Sequence, residues 1–359
     1  MTHVPPTPAL ARLRGEFATP RAARVVLHRG TCGNAHKADG EWHLLRAALG
    51  EALVEGACDG ACWAAPAATV QREGHQHRFA RLGDEVPPEL LQCLGGECAD
   101  EYAGRGEHGL LERLGRQDGS LEDAVAHGAY GALAQANALG PERTSDAIRA
   151  SSYPARYGPL GTSDGATVEV AARPDSPTAF IDRHLLEGDP HRVLEGILVT
   201  CRATGATTAH VTLDGQPETA RLAIEEAIAE ARRHGILDGS ALGGDPIAVE
   251  VDEGDAPGGA MSIEAVAALS TVFDRPPPPT RLLALSGAVP RPGLYEIPLG
   301  GAMTWTGVLA MAGATPGLVP AVRVGAEGVL VPRDEFESLV TPSALGDGSV
   351  VVLDRDSEV

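Results

Sequence analysis

Apolar positions along the chain switch between period two and period 3.6, and the switches divide it into segments. Ala23 to Leu27 is a short β-branched run and predicts a strand. Between Glu41 and Val54 the apolar positions Leu44, Leu45, Ala48 and Leu53 recur at helical spacing. Ala68–Val70 and His77–Ala80 predict two strands across a turn at Glu73-Gly74, and a helix near Pro88–Cys93 closes this β-α-β-β pattern. A glycine-rich joint from Gly95 to Gly119 follows. Beyond it, Thr167–Val170, Ala209–Leu213 and Ile247–Val251 predict strands alternating with helices, the pattern of an α/β sheet. The helix predicted over Glu218–His234 carries Ile224, Ala227, Ile228 and Ala231 on one face. Arg232 and Arg233 suit its carbonyl end, before a stop at Gly235. The proline run Pro276–Pro279 predicts a stiff extended linker. Strands at Leu282–Leu285 and Gly293–Ile297, a helix at Trp305–Ala312 and a last strand at Ser349–Leu353 complete the chain.

Composition narrows the function. The net charge of −20 argues against nucleic-acid binding, which needs a basic face to displace counterions. No apolar run approaches the ~20 residues needed to span a bilayer, so no membrane insertion is expected. The start, Met1-Thr-His-Val-Pro-Pro, lacks a basic region followed by an apolar one, and a cytoplasmic location is the expectation. In that compartment six cysteines point to metal or redox use before structural disulfides.

Three motifs carry a resemblance. Cys58-Asp-Gly-Ala-Cys62, with Pro66 four residues on, resembles the second cysteine pair of thioredoxin-like [2Fe-2S] ferredoxin domains, and Cys32 resembles one member of their first pair. His184-Leu-Leu-Glu187-Gly-Asp189-Pro190-His191-Arg-Val-Leu-Glu195-Gly resembles a run in the FMN-binding flavoprotein subunit of NADH:quinone oxidoreductases and of NAD-linked hydrogenases and formate dehydrogenases. Leu283 to Gly300, with Ser286-Gly287 and Arg291-Pro292-Gly293-Leu-Tyr295-Glu296, resembles the soluble-ligand-binding β-grasp domain of the same subunit.

The resemblance implies an α/β protein of three domains. A loose arm (1–22) precedes a thioredoxin-like ferredoxin domain (23–95). A linker (96–130), a Rossmann-like α/β domain of the FMN-binding type (131–275) and a β-grasp domain (276–359) follow. It also implies partners, the other subunits of a redox complex. A [2Fe-2S] cluster needs four ligands, because each iron is tetrahedral and the bridging sulfides fill two positions. Cys32, Cys58 and Cys62 supply three. His28, at H-x3-C spacing from Cys32, or His36 would complete the set, the alternative being a domain that kept its fold and lost the cluster. Cys93 and Cys98 are expected to be incidental thiols, and Cys201 a buried apolar group.

The family's hydride-transfer motifs are altered. Tyr153, Pro154 and Pro159 stand where its glycine-rich flavin loop runs, and Ala172, Arg173 and Pro174 stand where it carries an asparagine and an acidic pair. Of a later acidic segment only Glu264 remains, and its cysteine-rich C-terminal [4Fe-4S] motif has no counterpart in these residues. FMN and NAD are therefore not expected to bind in the family's manner. The surviving Asp182, Arg183, Glu187, Asp189, His191 and Glu195 predict helix capping and packing, with Asp189 as N-cap and Pro190 at the first helical position. The resulting expectation is a non-catalytic or electron-relay subunit. The alternatives are a working FMN-dependent diaphorase and a cofactor-free scaffold.

Overall fold

The computed structural model describes residues 7–17, 23–35, 38–72, 75–83, 85–96, 109–160, 167–173, 176, 178–273, 279–299 and 303–354. Three sheets form in chain order, each around its own set of apolar side chains.

The N-terminal part comprises α1 (Pro8–Glu16), β1 (Arg24–His28), α2 (Thr31–Ala35), α3 (Ala38–Leu49), β2 (Leu53–Gly56), β3 (Ala68–Arg72), β4 (His75–Phe79) and α4 (Pro88–Gly95). Its sheet has the order β2-β1-β3-β4, with β1 and β2 parallel and the other pairs antiparallel. The helix expected to continue to Val54 ends earlier. Gly50 takes a left-handed conformation, φ +57°, after which Leu53–Gly56 turns into the edge strand β2. The loose arm expected over 1–22 contains a helix. Thr7 caps α1 through its hydroxyl, Pro8 sits in the first turn, and Leu10 and Leu13 are buried in the core of the central part. Two apolar residues at i and i+3 are too short a period to announce it.

The central part comprises α5 (Leu121–Ala126), α6 (Gly131–Leu139), α7 (Pro141–Ala150), α8 (Tyr153–Tyr157), β5 (Thr167–Ala172), α9 (Ile181–Gly188), α10 (Pro190–Thr204), β6 (Thr208–Leu213), α11 (Glu218–Arg233), β7 (Ala248–Glu253), β8 (Met261–Ser262) and α12 (Ile263–Leu269). Its sheet, β7-β6-β5-β8, is wholly parallel. The four apolar residues anticipated on α11 are all buried. Residues 109–130 are not a linker. Leu110, Leu111, Leu114, Leu121 and Val125 are core residues, and α5 is capped by Ser120. Residues 97–108 of the expected joint lie outside the described residues.

Helix α10 lies at the centre, buried on every face along nearly its whole length. Gly196 permits this, because a Cβ there would fall 1.7 Å from the Val266 carbonyl of α12. As anticipated, Asp189 caps α10 and Pro190 begins it. The Asp189 carboxylate also takes Arg113 at 2.9 and 3.2 Å and the Arg192 Nε at 2.9 Å. Glu195 accepts the Ala132 amide at the start of α6, and His191 bridges the Tyr130 hydroxyl and Glu230.

The C-terminal part comprises β9 (Thr280–Gly287), β10 (Gly293–Pro298), α13 (Trp305–Met311), β11 (Ala321–Val324), β12 (Val329–Pro332), α14 (Pro342–Leu345) and β13 (Ser349–Val352). They form a mixed sheet in the order β10-β9-β13-β11-β12, in which β9 and β13 run parallel. Period-two alternation divides β9 between two cores. Leu283 and Leu285 pack with Trp305 in the sheet's own core, whereas Leu282 and Ala284 join the central core. Glu296 accepts the Leu110 and Leu111 amides, both at 3.0 Å, and so ties this sheet to the segment that opens the central part.

Burial alone would push the Asp189 carboxyl up, but Arg113 and Arg192 outweigh it and hold it down to about 2. An unfolded aspartate ionises near ~3.9. Its stabilising contribution is therefore complete above that value and declines as pH falls towards 2. Asp189→Asn leaves two buried guanidinium groups without a counter-charge and should cost about 3–5 kcal/mol at neutral pH. Denaturant melts of both proteins should show that deficit at pH 7 shrinking towards pH 3; a deficit independent of pH would contradict the assignment.

Candidate functional site

The three parts meet at the loop Ala57–Ala61 after β2, which is buried throughout. The Cys58 amide donates to the Glu187 carbonyl of α9, and the Leu294 amide of β10 donates to the Gly60 carbonyl. Asp59 turns the loop by accepting the Ala61 amide at 2.8 Å and pairs with Arg78 of β4. Gly188 is required at the contact, since a Cβ would lie 2.6 Å from the Cys58 carbonyl and 2.3 Å from Leu114 Cδ1. Across the same seam, the Thr31 hydroxyl and amide donate to the Glu187 carboxylate, which also accepts the Thr219 hydroxyl.

This framework brings Cys32 of α2, Cys62 and His184 of α9 together, with their ligand atoms all within 4.8 Å of one another. The His184 Nδ1 lies 2.8 Å from the Phe180 carbonyl, one turn back on the helix. A carbonyl can only accept, so Nδ1 carries a proton there, and Nε2 faces Cys62 Sγ at 3.1 Å. The Cys62 thiol, together with His184 and Arg183, holds Cys32 well below the usual thiol range, down to about 4, against the opposing effect of burial. The neighbouring Cys32 sulfur and burial push Cys62 up. Burial above all, with Glu187 and Asp59, pushes Cys58 up as well.

Of the four expected cluster ligands, Cys32 and Cys62 come together. Cys58 lines the same small cavity, but its sulfur accepts the Gly60 amide at 3.4 Å and stands outside the group of three. His28 spends both ring nitrogens elsewhere, Nδ1 on the Ala57 carbonyl at 3.0 Å and Nε2 on the Thr69 hydroxyl at 2.7 Å. His36 lies outside the described residues. The histidine that faces the sulfurs is His184, 122 residues from Cys62, a separation at which sequence spacing carries no signal. A cavity of about 20 Å³ is lined by Cys32, Cys58, Cys62 and His28 among others, and the Cys32–Cys62–His184 trio stands at its edge. Cys93, expected as a free thiol, is disulfide-bonded, and Cys201 is buried in α10 as anticipated.

A second cavity, of about 240 Å³, opens at the carboxyl ends of β5 and β8, where ligands of open α/β sheets bind. Sites for drug-sized ligands span roughly 300–1,000 Å³. Its polar groups are committed to one another. Glu264 Oε1 accepts the Tyr157 hydroxyl at 2.9 Å, Arg281 Nε at 3.2 Å and the Leu282 amide at 2.9 Å. The Tyr157 ring packs against the guanidinium groups of Arg156 and Arg281. Arg173 binds the Ala256 carbonyl and donates its amide to Asp182. Where a glycine-rich flavin loop would lie, α7 and α8 stand instead, and residues 161–166 are outside the described residues.

The fold is similar to that of subunits of NAD-linked redox enzymes. Residues 159–280 match the family model described as the Nuo51 FMN-binding domain. An NADH-quinone oxidoreductase subunit of Rhizobium meliloti (strain 1021) is 29% identical over 319 residues, covering 68% of this chain and 75% of its own. The NADP-reducing hydrogenase subunit HndC of Solidesulfovibrio fructosivorans is 24% identical over 308 residues, 66% of this chain and 62% of its own. A chain of an NAD+-reducing [NiFe]-hydrogenase in the air-oxidized state shares the fold, with a TM-score of 0.53 at 18% identity, over 97% of this chain and 72% of that one. The protein is thus related to the NADH-quinone oxidoreductase subunits of this type and their hydrogenase counterparts, all components of larger complexes. No helix among the described residues is long and apolar enough to cross a membrane.

The free thiol environments should differ in reactivity. In reduced, chelator-treated protein at pH 6–7, iodoacetamide should alkylate Cys32 first. Cys201, pushed up to about 12 by burial, should react far more slowly. Peptide mapping by mass spectrometry reads the order; equal rates at the two cysteines would contradict the geometry.

Proposed function

We propose that this protein is an adaptor subunit of an NAD-linked redox complex, built on the fold of the flavoprotein subunits without their hydride chemistry. The observation that carries this reading is the Tyr157–Glu264–Arg281 network. It occupies the carboxyl ends of the parallel strands with side chains bonded to each other. Hydride transfer requires two rings stacked about 3–4 Å apart in fixed orientation, and a cavity of about 240 Å³ with committed donors supplies neither ring with a seat. The names of the relatives support membership in a complex.

On this reading the N-terminal sheet, with a parallel β1–β2 pair and an antiparallel β3–β4 hairpin, is a thioredoxin-like domain. The five-stranded sheet on α13 is a β-grasp docking domain. Both survive as surfaces for neighbouring subunits.

Two measurements test the reading. FMN titrated into the full-length protein should bind with a Kd weaker than about 0.1 mM, and NADH should bleach no flavin absorbance. Tagged protein isolated from its native cell should elute with stoichiometric redox-enzyme subunits. Stoichiometric FMN reduced by NADH, or elution as an isolated chain, would contradict the proposal.

A further inference from the structure

Cys32, Cys62 and His184 form a donor set at the seam, independent of the flavin question. Cys32 and Cys62 come from the N-terminal part and His184 from the central part, so nothing local holds the three together. Two features distinguish the trio from ordinary packing. The first is the orientation of His184. Its Nδ1–H is anchored on the Phe180 carbonyl, the arrangement by which proteins fix the tautomer and aim of a metal-binding imidazole, and Nε2 is turned towards the sulfurs. The second is the rigidity of the backbone beneath. The Cys58–Trp63 segment is pinned to the C-terminal part by the Leu294 amide on Gly60 and the Trp63 amide on Pro292, and to α9 by the Cys58 amide, so Cys62 cannot drift from its partner.

Distances decide what could sit among them. A tetrahedral ion with bonds of ~2.3 Å to sulfur and ~2.0–2.1 Å to nitrogen sets its ligands roughly 3.5–3.8 Å apart. The trio's ligand atoms lie within 4.8 Å of one another and its closest sulfur–nitrogen pair is 3.1 Å apart, so the tetrahedral edge falls inside the range already present. Two thiolates balance one divalent charge, and a mixed sulfur and imidazole set suits a borderline-soft cation.

We infer that Cys32, Cys62 and His184 bind one tetrahedral divalent cation of the Zn2+ type, which staples the N-terminal part to the central part across their seam. Water takes the fourth position. Cys58 remains a buried thiol beside the site, and His28 remains a hydrogen-bonded residue of β1.

The test uses full-length protein, reduced and freed of metal, titrated anaerobically with Co2+ and then Zn2+. One Co2+ per chain should bind, giving intense tetrahedral ligand-field bands and a thiolate-to-cobalt charge-transfer band, and one Zn2+ should erase both. Cys62→Ser, a nearly isosteric change at a half-buried position, should weaken Zn2+ binding about a hundredfold or more, as should His184→Ala. His28→Gln should leave the affinity and the spectrum unchanged. Any of three results would overturn the inference: no saturation at one Co2+ per chain, a spectrum indifferent to both Cys62→Ser and His184→Ala, or a native Cys32–Cys62 disulfide. Reconstitution with iron and sulfide that yields two irons per chain in the His184→Ala variant would also overturn it. None of these readouts depends on flavin or partner subunits, so failure here is distinguishable from failure of the adaptor reading.

Discussion

The α9–α10 corner carries a row of buried polar side chains, and the assembly of the three sheets depends on it. Within twelve residues, His184, Glu187, Asp189, His191 and Glu195 are each almost wholly buried. Buried polar groups are costly unless paired, and here each is paired with a different segment. Glu187 reaches Thr31 of the N-terminal part, Asp189 holds Arg113, and Glu195 accepts the first amides of α6. Gly188 lets the corner press against the Cys58 loop. The short segment that most resembles the flavoprotein family is therefore the hub where separate units join. It needs no flavin to explain its composition.

This division clarifies what has changed and what has been kept. At the strand ends, Glu264 accepts hydrogen bonds from Tyr157 and Arg281 beside a cavity of about 240 Å³. At the seam, the polar joints between units are intact. A subunit relieved of hydride transfer but still required to fit a complex would be expected to keep its joints and close its cofactor pocket. The sulfur and imidazole trio lies at the joint, which is where a cation would act on assembly.

Much of the fold was legible because its signals are local. The face of α11 and the proline start of α10 each follow from spacing within a few residues. The misses have physical reasons. Helix α1 and the burial of Leu110, Leu111 and Leu114 come from tertiary contacts with the central core, which no short window contains. β2 followed a helix without a polar break, and only the left-handed turn at Gly50 separates them. The candidate site was half legible. The C-x3-C pair and Cys32 mark the sulfurs in the sequence, whereas His184 lies 122 residues from Cys62. His184 faces them because α9 is packed there by Glu187 and Gly188.

The central claim is that the corner's carboxylates hold the parts together. A double-mutant cycle between Thr31→Val and Glu187→Gln, read by reversible denaturation, tests it most directly. The account predicts a coupling free energy of about 1–3 kcal/mol across the seam. Additive effects, with coupling indistinguishable from zero, would contradict it.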